Sequence, residues 1–437
     1  MARVLGAPED HALAFLTDRV VLYYAGLDDV SLPFGEARRQ LATTAAAQPL
    51  YLKALLLVAD FVVVPPSFLF AWSAYCQGSV GPQDIARLHQ AQILLSPVYR
   101  GMTSGLDFLD YKLGTGSRDE TAFIRAAWDS LQPLFDALPV FNRDVGLQSG
   151  GFHRGVSEEV EHLNIPVRAR DSLQAVLGVA PDALVRTSRT DLHQEAQALE
   201  ARGILSRRQF RGVFHAINRA YYHQGARTYG AAIAVPAAPR YAVLGSRMFQ
   251  PDGGIVVAYD PEVILALLAG FGIEREEVQG LPLQNLLRLR ESRNWRDFTA
   301  AYSRMAFAVQ GLQFHSGRLS NADVEHLKAV FLGSCLKTSS DQQARYRRLL
   351  ERYSKGEVVV TSLGLGGLGL ALTPIAGFFL GLLPVVLYFS GVTAGLGKRF
   401  ADKIEAESTA FFRFVNDLQQ VADRARLLPS APPTGVA

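Results

Sequence analysis

Two histidines, His215 and His223, flank Arg219, Tyr221 and Tyr222 in a stretch of helical periodicity. Their eight-residue separation returns them to similar faces two turns apart, so one helix could line a polar pocket there. Ordinary histidines at the edge of a core explain the same spacing. Glu159 and His162 have the i, i+3 spacing of carboxylate-bridged metal sites, but such sites need a second Glu-x-x-His. Asp323 with His326 is only an approximate partner. Asp107, Asp110 and Lys112 match the acidic pair and lysine of metal-dependent nucleases, in which the carboxylates hold magnesium. That motif needs a strand, and Gly114 and Gly116 make this stretch a loop.

Gly364, Gly366 and Gly369 satisfy G-x-G-x-x-G shortly after three valines, Val358 to Val360. A dinucleotide site also requires an acidic residue about 20 positions on, and no Asp or Glu occurs until Asp402. Gly397-Lys398 resembles the end of a phosphate loop, but Arg399 replaces the hydroxyl that would hold magnesium and Val392 stands where the first glycine belongs. G-x-S-x-G, H-E-x-x-H and paired C-x-x-C are missing from the sequence. Cys76 lies among Trp72, Tyr75 and other apolar neighbours, far in sequence from Cys335, as buried thiols do. Arg288, Arg290, Arg293 and Arg296 surround Trp295, yet Glu291 and Asp297 interleave, as on a salt-bridged helix face. No catalytic residue, cofactor or metal is therefore assigned, and nucleic acid is not an expected partner, because the net charge is only +3.

The elements that would carry these residues are mostly helical. A chain of 437 residues with 49% hydrophobic and 19% charged residues has ample core for ordinary folding without disulfide staples. Strands are predicted at 20–24 and 61–64, with two or three short ones between 231 and 257, together forming a small mixed sheet. Helices are predicted at 35–59, 84–96, 120–138, 158–163, 172–177, 181–202 and 207–229. Further ones follow at 261–271, 283–290, 295–309 and 322–336, and Ser340 with Gln343 makes a capping box for a helix to Tyr353. The N-terminus shows no secretory signal.

The strongest signal is an apolar segment. Residues 358–397, between Glu357 and Lys398, contain no Asp, Glu, Lys, Arg or His. One crossing needs about 20 residues, so this length suits two. Pro374 is the natural break of a helical hairpin, and Gly377 with Gly381 and Gly391 with Gly395 would let helices approach closely, within a hairpin or in a homo-oligomer. Arg345, Arg347, Arg348, Arg352 and Lys355 precede the segment, and Lys398, Arg399 and Lys403 follow it. Basic flanks on both sides place both ends in the cytoplasm. A single or re-entrant segment and a buried core element are the alternatives. Phe400, Ile404, Phe411, Phe414, Val415, Leu418, Val421, Ala425 and Leu428 then repeat at helical spacing.

The expected fold class is mainly α (α+β). A cytoplasmic helix-rich domain (1–356) with a small mixed sheet precedes a membrane hairpin (357–398), an amphipathic helix (399–428) and a disordered tail (429–437). The expected function is a membrane-associated protein at the inner, cytoplasmic membrane. Its large domain would sense or scaffold, and its hairpin would anchor the protein or perturb the bilayer. The alternatives are a membrane-resident enzyme of unknown reaction, using groups such as His215, His223 or Asp110, and a soluble interaction module.

Overall fold

The computed structural model describes residues 4–5, 19–24, 47–64, 80–99, 138, 140–141, 151–178, 188–236, 256–311, 321–336, 411 and 413–422. The expectations for 357–398, for Arg345, Arg347, Arg348, Arg352, Lys355, Lys398 and Arg399, and for Cys76, Asp107, Asp110, Lys112 and Ser340 lie outside these residues. Among the described residues, no helix is long and apolar enough to cross a membrane.

In chain order the strands are β1 (Val4–Leu5), β2 (Val21–Tyr24), β3 (Phe61–Val63), β4 (Leu94–Leu95), β5 (Val98–Tyr99), β6 (Val140–Phe141) and β7 (Ala232–Ala234). The helices are α1 (Gln48–Val58), α2 (Pro82–Gln90), α3 (Gly151–Glu161), α4 (Val167–Gly178), α5 (Ser188–Ala201) and α6 (Arg207–Thr228). They continue as α7 (Pro261–Gly270), α8 (Arg275–Gly280), α9 (Leu283–Glu291), α10 (Arg293–Gly311) and α11 (Asn321–Leu336). Residues 413–422 are helical. The chain is thus mostly helical around a small sheet.

That sheet is parallel, not mixed. Its order is β4-β3-β2-β7, and the register sets Val21 opposite Phe61, Leu22 opposite both Val62 and Ala232, and Val62 opposite Leu94. The reason is connectivity: α1 separates β2 from β3 and α2 separates β3 from β4, and a helical crossover returns the chain in the same direction. A second parallel set runs β1-β6-β5. Two other local expectations are corrected. The helix predicted over 84–96 stops at Gln90, because Gln92 takes φ 55 and releases the chain into β4. The stretch before Asp260 is a tight 3-10 turn (Val257–Tyr259) in place of a strand, and it leads directly into α7, which Asp260 caps by accepting from the Glu262 amide at 3.0 Å.

All four residues of β2 are buried, and successive side chains leave opposite faces. Tyr24 points to the α1 side, where its hydroxyl donates to Gln48. Tyr23 points the other way, its ring 6.2 Å from Tyr222 of α6. The sheet therefore separates α1 from α6.

Every residue of α1 is buried, as expected of a helix that is apolar all round. Its last carbonyls cannot reach water and need donors from elsewhere. Arg290, at the end of α9, supplies them: Nη1 donates to the Leu56 carbonyl and to Ala59 O at 2.6 Å, and Nη2 donates to Asp60 O at 2.7 Å. Trp295 Nε1 donates to Leu57 O at 2.9 Å, and the Arg290 guanidinium lies 4.3 Å from the Trp295 ring centroid. The Asp60 carboxylate in turn accepts from the Val20 amide at 2.8 Å and so fixes the entry to β2. Burial pushes the Arg290 guanidinium down to about 9, against the opposing pull of Asp60, which leaves it charged at neutral pH. Lys53, in the middle of α1, donates to Gln279 O at 2.6 Å.

The outer helices close around an aromatic cluster. Phe298 of α10 stacks on Phe414 at 4.1 Å and meets Phe411 edge-on at 5.0 Å, while Tyr302 meets Phe331 of α11 at 5.1 Å. Lys328 of α11 pairs with the buried Asp260 at 3.3 Å. Burial raises the Asp260 carboxyl above the usual range, and Lys328 counters it.

Two outcomes are expected. Arg290→Met leaves buried carbonyls without donors and should lower the unfolding free energy by about 3 kcal/mol or more in urea titration. Burial lowers Lys53 from 10.5 to about 8, so the unfolded chain holds more protons than the folded one above pH 8. Lys53 then contributes stability that grows with pH between about 8 and 10. Cys335, whose thiol burial raises, opposes that contribution from about 8.5 upward, and Tyr51, Tyr259 and Tyr302, which burial also raises, oppose it near 10 and above, while Arg290, lowered to about 9, adds to it there. Urea titration across that range should show the stability difference between wild type and Lys53→Met moving in favour of wild type as pH rises.

Candidate functional site, a buried polar row on α6

Helix α6 starts at a capping box: the Gln209 amide donates to Ser206 Oγ at 3.3 Å and the Ser206 amide to Gln209 Oε1 at 3.0 Å. It ends in a short turn where Gly230 takes φ 58, a conformation that glycine adopts without strain. The chain then enters β7 after Ala231, so α6 runs antiparallel to β7 and to its parallel neighbour β2.

Along its length α6 buries polar side chains that a surface helix would expose: Asn218, Arg219 and Gln224, together with Tyr221 and Tyr222. Helix α3 makes this possible. Gly151 and Gly155, one turn apart, let its backbone approach closely, and a Cβ placed on Gly155 would lie 3.3 Å from that of Ala220. Glu159 follows one turn later on the same row, and its Oε2 accepts from Arg219 Nη2 at 2.6 Å. The Arg219 side chain is 1% exposed and that of Glu159 is 17% exposed, so the pair runs from the interior toward the surface. Arg189 of α5 donates from Nε at 3.2 Å and from Nη2 at 2.9 Å to Asn218 Oδ1, with its guanidinium 4.1 Å from the Tyr221 ring centroid.

Three buried donors in this row lack a hydrogen-bond partner among the described residues: Arg219 Nε, Arg219 Nη1 and the Tyr222 hydroxyl. Each such group costs about 1–3 kcal/mol if nothing accepts from it. Two of the three are guanidinium nitrogens, which can only donate. The arrangement is suited to holding an acceptor-rich group.

The residues singled out from sequence scatter. His215 and His223 sit half-buried on α6, where the His215 ring meets Phe214 edge-on at 6.5 Å. The histidine stacked on this helix is one that sequence reading passed over, His193 of α5, parallel to Phe214 at 4.2 Å. Glu159 serves Arg219 while His162 is exposed, so the pair does not converge. Among the described residues no three His, Cys, Asp or Glu side chains gather as a metal site. The basic run divides: Arg290 turns inward, Arg288, Arg293 and Arg296 are exposed, and Arg293 approaches Asp297 at 3.8 Å. Burial raises the Cys335 thiol well above its ordinary range, which disfavours the reactive thiolate. The Glu159–Arg219 contact was missed because the helix was expected to start at 158. With the start at Gly151, the row Gly151, Gly155, Glu159 marks a close-packed face.

Glu159→Ala should strand a buried cation and lower stability by about 3–5 kcal/mol, while Gly155→Leu should cost about 1–3 kcal/mol by forcing α3 from α6. Urea titration checks both values. Comparison with family models, with characterised proteins and with solved structures finds no match to this chain.

Proposed function

We propose that the chain is a membrane-associated protein: a cytoplasmic helix-rich domain that senses or scaffolds, joined to an apolar hairpin that anchors it or perturbs the bilayer. The observation that carries this is the uncharged run 358–397, twice the length of one crossing. Pro374 would form its turn, Gly377, Gly381, Gly391 and Gly395 its packing face, and the basic residues from Arg345 to Lys355 with Lys398 and Arg399 its cytoplasmic flanks.

Packing on both sides of the segment supports two crossings over one. Before it, α11 rests on α10 through Phe331 and Tyr302. After it, residues 413–422 return to the same helix: Phe414 stacks on Phe298, and Asn294 Nδ2 donates to Asp417 Oδ2 at 2.8 Å. Gln419 also donates to Phe271 O at 3.3 Å. A chain whose flanks meet on one helix crosses an intervening bilayer an even number of times. The glycine rows suit a homo-oligomer, which a membrane-perturbing role would require.

Full-length protein is expected to stay in a membrane pellet washed with alkaline carbonate, whereas recovery in the supernatant without detergent would contradict a membrane hairpin. If the hairpin is an effector, overexpression should slow growth, and Gly377→Leu combined with Gly381→Leu should relieve the slowing. Equal growth of both strains would leave the anchor role alone.

A further inference from the structure

We propose that Arg219 and Tyr222 form the floor of a binding site for a small soluble oxyanion, beyond the carboxyl ends of β2 and β7. Strand order supplies the first reason. In β4-β3-β2-β7 the chain builds β3 and β4 on one side of β2 and then places β7 on the other. Parallel sheets bind ligands in the crevice that opens beyond the carboxyl ends where the order reverses in this way.

The placement of α6 supplies the second reason. Gly225 lies against Tyr23, since a Cβ there would stand 2.7 Å from the Tyr23 hydroxyl oxygen. Because α6 runs antiparallel to β2, residues before Gly225 lie progressively toward the carboxyl edge. Tyr222 is one turn along, and Arg219, six residues from Gly225, is about 9 Å along at 1.5 Å per residue. β2 extends only one residue past Tyr23, to Tyr24, or about 3.4 Å. Arg219 therefore stands beyond the end of the strand, and helical side chains lean further toward the N-terminus of their helix.

The third reason is chemical. Arg219 Nε, Arg219 Nη1 and the Tyr222 hydroxyl are buried donors with no partner among the described residues. A second guanidinium, that of Arg189, lies 5.7 Å from the Tyr222 ring centroid. Guanidinium and hydroxyl donors together favour an acceptor that carries negative charge, such as a phosphate or a carboxylate. Arg219 is too deeply buried for a headgroup held in a bilayer to reach it, which selects a soluble ligand. The inference gives the sensing domain a ligand class, and so rests on the sensor part of the proposed function.

The test is calorimetric titration of full-length protein in detergent with inorganic phosphate and, separately, with acetate, at constant ionic strength. One of the two should bind at a single site, phosphate binding indicating a tetrahedral ligand and acetate a planar one. Tyr222→Phe, which keeps the ring packing, should weaken that binding about fivefold, the value of one hydrogen bond. Arg219→Lys should weaken it more. If Arg219→Lys does not fold, the Tyr222→Phe comparison decides alone. Binding of neither anion, or equal binding by wild type and Tyr222→Phe, overturns the proposal. Carbonate extraction is indifferent to these variants, so failure of the site and failure of the membrane reading are separable.

Discussion

A helix whose side chains are all buried has no solvent to receive its last carbonyl groups, and α1 is such a helix. Arg290 and Trp295 resolve this by donating to Leu56, Leu57, Ala59 and Asp60. One guanidinium and one indole thereby fix three elements at once: the end of α1, the α9–α10 junction and, through Asp60 and Val20, the start of the central strand. Removing the cap would uncouple the outer helices from the sheet. Burial at that junction lowers the basicity of Arg290.

From the central strand the two faces take different characters. The α1 face is mostly apolar, with Gln48, Lys53 and the capping Arg290 among its buried polar groups. The α6 face is polar, because glycines on α3 admit a close contact and the Glu159–Arg219 pair fills its end. Strand order then places the arginine where a parallel sheet opens. The same pair that stabilises the α3–α6 contact leaves two guanidinium nitrogens without a partner among the described residues, so structural and binding roles meet in one side chain.

Much of this was legible from sequence and some was not. Central-strand residues 21–24 and 61–63 stood out because β-branched and aromatic runs between turns have few other uses. Strand direction did not, because parallel and antiparallel pairs share the same alternation. β4 was hidden inside an extended helical pattern that only the φ of Gln92 interrupts. The helix boundary at 151 was hidden because Gly151 and Gly155 look like breakers until a partner helix packs on them. Arg290 was legible as a basic residue in a mixed-charge helix, but its inward turn depends on carbonyls more than two hundred residues away in sequence.

Residues 358–397 carry the clearest sequence signal in the chain, and the helices on either side of them pack on the same α10. The central claim is therefore that the chain leaves and re-enters its domain on one side of a bilayer. Single-cysteine labelling tests it most directly. Ser354→Cys and Ser408→Cys would be introduced separately into a chain carrying Cys76→Ala and Cys335→Ala, then probed with a membrane-impermeant maleimide in sealed vesicles of each orientation. Labelling of both positions from the cytoplasmic face alone is the predicted result. Labelling of the two positions from opposite faces would contradict it.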